Sequence, residues 1–171
     1  MNIDHFYCIV KFMDKALKHS VILHNIRSTH NVGSIFRTVD TLGISKIYLT
    51  GITATPRDRF GRERADIAKT ALGAEKSVPW EHTQNIQDLL EKLKKENTKI
   101  VSVEQSKNSI DYKKADIAGA TAFVFGNELE GIPSDVLKTS DLVLEIPMRG
   151  KKESLNVAVA AGVLLFRLLD N

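Results

Sequence analysis

Apolar positions in this chain fall into short continuous runs separated by stretches in which they recur every three or four residues, the pattern of strands interleaved with helices. Val21 to His24 predicts a first strand, followed by a helix from Val32 to Leu42 that stops at Gly43. Ile44 to Leu49, Lys99 to Val103, Thr121 to Phe125 and Leu142 to Ile146 are further strand candidates. Ile86 to Leu93 has helical spacing, and Lys92, Lys94 and Lys95 near its end complement the helix dipole. The alternation predicts an α/β fold built on a mostly parallel sheet flanked by helices. The last helix, Val157 to Leu169, is apolar on nearly every face and therefore needs cover on nearly every side, which in a small domain suggests a partner subunit.

Two segments break the pattern. Between Thr53 and Arg64 the apolar periodicity disappears and Arg57, Arg59, Arg62 and Arg64 crowd around Phe60, which predicts a mobile surface loop. Arginines interleaved with an aromatic suit an RNA contact, while Asp58 and Glu63 cut the net charge and suit a merely solvated loop. In the opening segment, Met1 to Ser20, Phe6, Ile9, Val10, Met13 and Leu17 have helical spacing with Lys11, Lys15 and Lys18 on another face. This is a packing helix or a basic helix facing RNA.

A length of 171 residues with 43% hydrophobic content fits one domain, 1–171, with 1–20 as a short extension. The net charge of +3 tolerates a polyanionic partner without demanding one. Cys8 is the sole cysteine, which rules out an internal disulfide and, with histidines that lack ligand spacing, argues against a metal site. The start does not read as a signal peptide, and the longest apolar run is far short of the ~20 residues that span a bilayer, so a cytoplasmic protein is expected. The glycine signatures of dinucleotide-binding and phosphate-binding loops are absent.

The chemistry-bearing residues lie in three distant segments. The first, Asn31-Val32-Gly33-Ser34-Ile35-Phe36-Arg37-Thr38, reads locally as a capped helix in which Asn31 caps the start, Gly33 allows close packing and Arg37 pairs with Asp40. The alternative is that Arg37 grips a phosphate or ribose through its planar guanidinium. The second, Phe125-Gly126-Asn127-Glu128-Leu129-Glu130-Gly131-Ile132-Pro133, leaves a strand end where open α/β sheets bind ligands, or is a plain turn with solvated acids. In the third, Ile146-Pro147-Met148 leads to Ser154-Leu155-Asn156, where Ser154 is an N-cap candidate and Met148 a gap filler.

Taken in order, from about Val21 to Phe166, these segments resemble the three signature motifs of the SpoU/TrmH branch of the SPOUT RNA methyltransferases. The resemblance implies S-adenosylmethionine as methyl donor and a ribose 2'-hydroxyl of tRNA or rRNA as acceptor, with tRNA slightly favoured. It implies a C-terminal trefoil knot, which general topology rules would reject, and a homodimer built partly on the last helix. It makes Arg37 the catalytic arginine, supported by Asn31, with Glu128, Ser154 and Asn156 in the active site. Gly126, Asn127, Ile146, Met148, Ser154 and Leu155 would form the cofactor pocket. A noncatalytic RNA-binding protein that kept the fold is the alternative, and the intact motif residues argue against it.

Overall fold

The computed structural model describes residues 19–170, so the packing of the opening segment lies outside the described residues except for His19 and Ser20, which begin a strand. Strands β1 (His19–His24), β2 (Lys46–Thr50), β3 (Trp80–Thr83), β4 (Lys99–Val103), β5 (Ile110–Asp111), β6 (Thr121–Phe125) and β7 (Leu142–Glu145) form one sheet, ordered β3-β2-β1-β6-β4-β7-β5. Every pairing between them is parallel. Helices α1 (Thr29–Thr41), α2 (Ala65–Ala71), α3 (Ala74–Ser77), α4 (Ile86–Lys95), α5 (Ser134–Thr139) and α6 (Val157–Leu169) connect and cover them.

The continuous apolar strands are explained by burial on both faces. Val21 and Leu23 of β1 and Phe123 and Phe125 of β6 pack with α1 and α6, through Val32, Phe36, Leu164 and Leu165. Their neighbours Ile22 and Val124 point the other way, against Leu89, Leu90 and Leu93 of α4 and Val136 of α5. Strands β1 and β6 lie side by side at the centre, and their side chains are almost wholly buried.

Helix α1 starts earlier than its periodicity suggests. Ser28, in extended conformation, accepts from the Asn31 amide at 3.3 Å and caps the helix, so Asn31 sits inside the first turn with its side chain released for other work. Gly33 fits where α1 meets α2: a Cβ there would stand 2.1 Å from Thr70 Oγ1 and 2.4 Å from the Ile67 carbonyl oxygen. At the other end of the chain Asn156, not Ser154, caps α6, accepting from the Ala158 amide at 2.9 Å. Ser154 therefore stands outside the helix.

Because the strands are parallel, their carboxyl ends open on one edge of the sheet. From β1 the chain moves outward through β2 and β3, then crosses to build the other half beyond β6, so the direction of winding reverses beside β1 and β6. Such a reversal splays the connections apart and leaves a crevice. Among the described residues no helix is long and apolar enough to cross a membrane.

Candidate functional site

The three motif segments converge on this crevice. Glu128, just past β6, accepts from the backbone amides of Arg27 at 3.0 Å and Ser28 at 3.1 Å, and from the side-chain amide of Asn31 at 3.0 Å. Asn31 Oδ1 in turn accepts from Asn156 Nδ2 at 3.1 Å, and Asn156 spends its own oxygen on the cap of α6. One carboxylate and two amides thus join residues about a hundred positions apart, with each amide's orientation fixed by its partners. Burial raises the Glu128 carboxyl, but the hydrogen bonds from Arg27, Asn31 and Ser28 outweigh it and hold the group below its ordinary 4.5. Glu128 is therefore an ionised acceptor at neutral pH, seated at the positive end of α1.

Asn127 fixes the loop that carries Glu128. Its Oδ1 accepts from the amides of Leu129 and Glu130, while Nδ2 donates to the Asn25 carbonyl at 2.8 Å. Backbone bonds between Asn127 and Gly131 close the loop. Gly126 is required by this closure, because a Cβ there would lie 2.6 Å from the Gly131 carbonyl. Glu104, one residue beyond β4, accepts from the Ile132 amide at 2.9 Å, and Gln105 Nε2 donates to the Glu153 carbonyl at 2.6 Å. These two residues tie the second and third segments together. They escaped sequence reasoning, although their place at the end of a parallel strand was the available signal.

Between these segments lies a cavity of about 510 Å³. Gly126, Asn127, Ile146, Met148, Ser154 and Leu155 all line it, and Glu128 and Asn156 stand at its wall. Val103, Glu104, Gln105, Glu145 and Glu153 add to a lining of mixed character. Ser154 makes no hydrogen bond through its hydroxyl among the described residues.

Arg37 is placed elsewhere. It is exposed on α1, outside the cavity lining, and its guanidinium has no hydrogen bond or ion pair among the described residues. The helical pair with Asp40 does not form: Asp40 Oδ1 accepts from Ser77 Oγ at 2.6 Å instead. Of the loop arginines, Arg62 and Arg64 are paired with Asp58 and Asp66, each at 2.8 Å, whereas Arg57 and Arg59 have no carboxylate partner among the described residues. No group of three or more potential metal-ligating His, Cys, Asp or Glu side chains occurs among the described residues.

Behind the site, His24 at the end of β1 is buried between Thr50 Oγ1, 2.8 Å from Nδ1, and Asn25 Nδ2, 3.0 Å from Nε2. The Ile52 amide donates to Asn25 Oδ1 at 3.0 Å, so the Asn25 amide nitrogen must face the ring and His24 Nε2 must accept. The proton is then on Nδ1. Burial lowers the His24 pKa below 6.5 against an opposing pull from Asp135. Since the fold prefers the neutral ring, its stabilising contribution is complete above pH 6.5 and is lost as pH falls through the lowered value. Glu128 adds a second loss, below 4.5. Urea unfolding across pH should show the upper limb in the native chain and not in His24→Gln, whose side-chain oxygen accepts from Asn25 without titrating.

Residues 18–166 match the model of the SpoU rRNA Methylase family. The tRNA (guanosine(18)-2'-O)-methyltransferase of Aquifex aeolicus is 32% identical over 156 residues, covering 90% of this chain and 70% of that protein. The 23S rRNA (guanosine-2'-O-)-methyltransferase RlmB of Neisseria meningitidis is 32% identical over 145 residues, covering 85% of this chain but 55% of its own length. The chain thus spans little more than half of that relative. Among solved structures, the AdoMet-bound rRNA methyltransferase of Sinorhizobium meliloti superimposes with a TM-score of 0.79 at 27% identity, over 88% of this chain and 55% of that one. The A. aeolicus TrmH/SpoU tRNA modifying enzyme gives 0.75 at 28% identity, over 95% and 81%. With a family model matched across nearly its whole length and three segments meeting at one crevice, the chain belongs to the SpoU rRNA methylase family.

Proposed function

We propose that this chain transfers a methyl group from S-adenosylmethionine to a ribose 2'-hydroxyl of RNA, with tRNA favoured over rRNA, and works as a homodimer. The observation that carries the reading is the joining of Asn31, Glu128 and Asn156 beside a cavity that Gly126, Ile146, Met148 and Leu155 help to line. Both relatives described above are named as RNA 2'-O-methyltransferases, and the tRNA-modifying one is spanned more fully by this chain. The C-terminal trefoil knot expected from the resemblance belongs to the same reading.

The residues fit the cofactor. A volume of about 510 Å³ falls within the ~300–1,000 Å³ of small-molecule sites. Ile146, Met148 and Leu155 give an apolar wall suited to an adenosine, and Glu145 and Glu153 offer negative charge to a cationic ligand. When bound, S-adenosylmethionine supplies a methyl group already activated on a sulfonium. The chain's own task is alignment, which can contribute ~7–11 kcal/mol in favourable cases. In this reading Glu128 holds Asn31, Asn31 holds Asn156, and the Ser154 hydroxyl is available to substrate or cofactor. Arg37 fixes phosphate and ribose and stabilises the negative charge that builds on the 2'-oxygen as its proton passes to solvent. Literal proton abstraction by Arg37 is disfavoured because a guanidinium stays protonated.

Support for the homodimer comes from α6, where Val159, Val163 and Phe166 fall on one helical face and are 40–51% exposed in the single chain. Val163→Glu should convert a dimer to a monomer by light scattering at micromolar concentration. The catalytic reading is tested by mass spectrometry of nucleosides from tRNA and rRNA of cells with and without the protein, alongside calorimetry with S-adenosylhomocysteine. Loss of a 2'-O-methyl nucleoside is expected. An unchanged nucleoside profile together with no cofactor affinity in a folded sample would remove the reading.

A further inference from the structure

The segment expected to be a mobile loop is a built hairpin. Arg57 and Glu63 form an antiparallel bridge, and backbone bonds from Asp58 to Arg62 and from Gly61 to Asp58, each 2.9 Å, close the tip. Asp58 holds that tip from inside. Its Oδ1 accepts from the amides of Phe60 and Arg62 at 2.8 and 3.0 Å, and its Oδ2 accepts from Arg62 Nε at 2.8 Å. The base is anchored by the Arg64–Asp66 pair and by Lys76 on Glu63 at 3.0 Å. Thr70 of α2, the helix that follows, donates to the His30 carbonyl at 3.0 Å and so joins this region to α1, which carries Arg37.

What this scaffold displays is Phe60, 67% exposed at the tip. The guanidinium groups of Arg59 and Arg62 lie over its ring at 4.8 and 5.1 Å. Arg62 is paired with Asp58 and steadies the ring, while Arg57 and Arg59 have no carboxylate partner among the described residues. Behind the tip is an open concavity of about 610 Å³ that also takes in Ile52, 67% exposed, and His82, whose Nε2 lies 3.1 Å from the Gly51 carbonyl. An exposed aromatic on a held tip, the exposed Ile52 beside it and two cations with no carboxylate partner among the described residues suit an unpaired nucleotide, which brings a base to stack and phosphates to neutralise. A duplex keeps its base faces stacked on one another and could use only the cations.

We propose that the hairpin 57–63, with Ile52 and His82, is a cradle for an unpaired RNA nucleotide, in which the base takes the place of the Arg59 guanidinium on the Phe60 ring and Arg57 and Arg59 engage the flanking phosphates. The inference rests on the RNA-methyltransferase reading and deepens it: the acceptor RNA is engaged at a loop or single-stranded stretch. It also divides the four arginines, leaving Arg62 and Arg64 to hold the hairpin together.

The test uses the full chain, a labelled single-stranded RNA of a dozen nucleotides and the duplex of the same sequence, with affinity measured by fluorescence anisotropy across a salt series. The native chain should prefer the single strand. Phe60→Ala should weaken single-strand binding about tenfold without changing the salt slope, because stacking releases no counterions. Arg57→Ala/Arg59→Ala should instead reduce the slope by about 1.4, at about 0.7 per phosphate of a single strand. Unchanged thermal midpoints establish that both variants fold. Equal binding of duplex and single strand, or Phe60→Ala affinity within twofold of native, overturns the cradle while leaving RNA binding intact. A native chain that binds neither RNA overturns the cradle and the RNA reading together, and would turn the exposed Phe60 toward a protein partner.

Discussion

Arg37→Ala is expected to lower methyl transfer at least about 100-fold, the scale seen when one donor to developing negative charge is removed, while affinity for S-adenosylhomocysteine stays within about twofold of native. The separation follows from geometry. Arg37 lies six residues beyond Asn31 on α1, about 9 Å further along the helix axis at 1.5 Å per residue, and it does not line the cavity. Its guanidinium is committed to no other residue among those described, so its removal costs the fold little. Arg37→Lys keeps the charge but loses the planar pair of donors, and should recover less than about a tenth of the native rate. Single-turnover transfer to RNA, paired with calorimetry on the same samples, measures both quantities. Near-normal turnover in Arg37→Lys would mean that a point charge suffices.

The second large effect belongs to Gly126. In Gly126→Ala the added methyl would stand 2.6 Å from the carbonyl carbon and oxygen of Gly131 and from Ile132 Cγ1, so backbone has to move. Overpacking of this kind costs about 1–3 kcal/mol, and here the displaced backbone carries Glu128 and closes one wall of the cavity. Cofactor affinity should fall more than about tenfold, beyond what the lost stability explains, because alignment tolerates little displacement. Calorimetry at a temperature where urea titration shows the variant fully folded separates the two effects. A folded variant with native affinity would show that the loop adjusts without disturbing the pocket.

How much of this was readable beforehand depended on whether a residue's neighbours were local. Lys99–Val103 and Thr121–Phe125 match their strands end to end, because a strand buried on both faces is a continuous apolar run in any context. Trp80–Thr83 was missed because Glu81 and His82 break the apolar run, and pairing with Ile47 to Thr50 makes it a strand. Ala65–Ala71 and Ser134–Thr139 are too short to build a periodic signal. The hairpin at 57–63 looked like a loop because a single carboxylate, Asp58, organises it. The pocket-lining residues were recognisable through their motifs. Glu104 and Gln105 were not, since each acts through a partner distant in the chain, Ile132 and Glu153.

The position of Asn156 also has a consequence during synthesis. Helix α1 buries Val32, Ile35 and Phe36 in a core that includes Ala161, Leu164 and Leu165 of α6, which is made long after α1. About 124 residues separate the end of α1 from Leu165, which at roughly 5–20 residues per second leaves that apolar face incompletely covered for about 6–25 s. A chain released early, before Asn156, carries the same exposed face permanently and has neither the third wall of the cavity nor the amide that Asn31 holds. Such fragments should be ligands for chaperones and substrates for proteases rather than weakened enzymes, so quality control would act on them before any defect in modification could be seen.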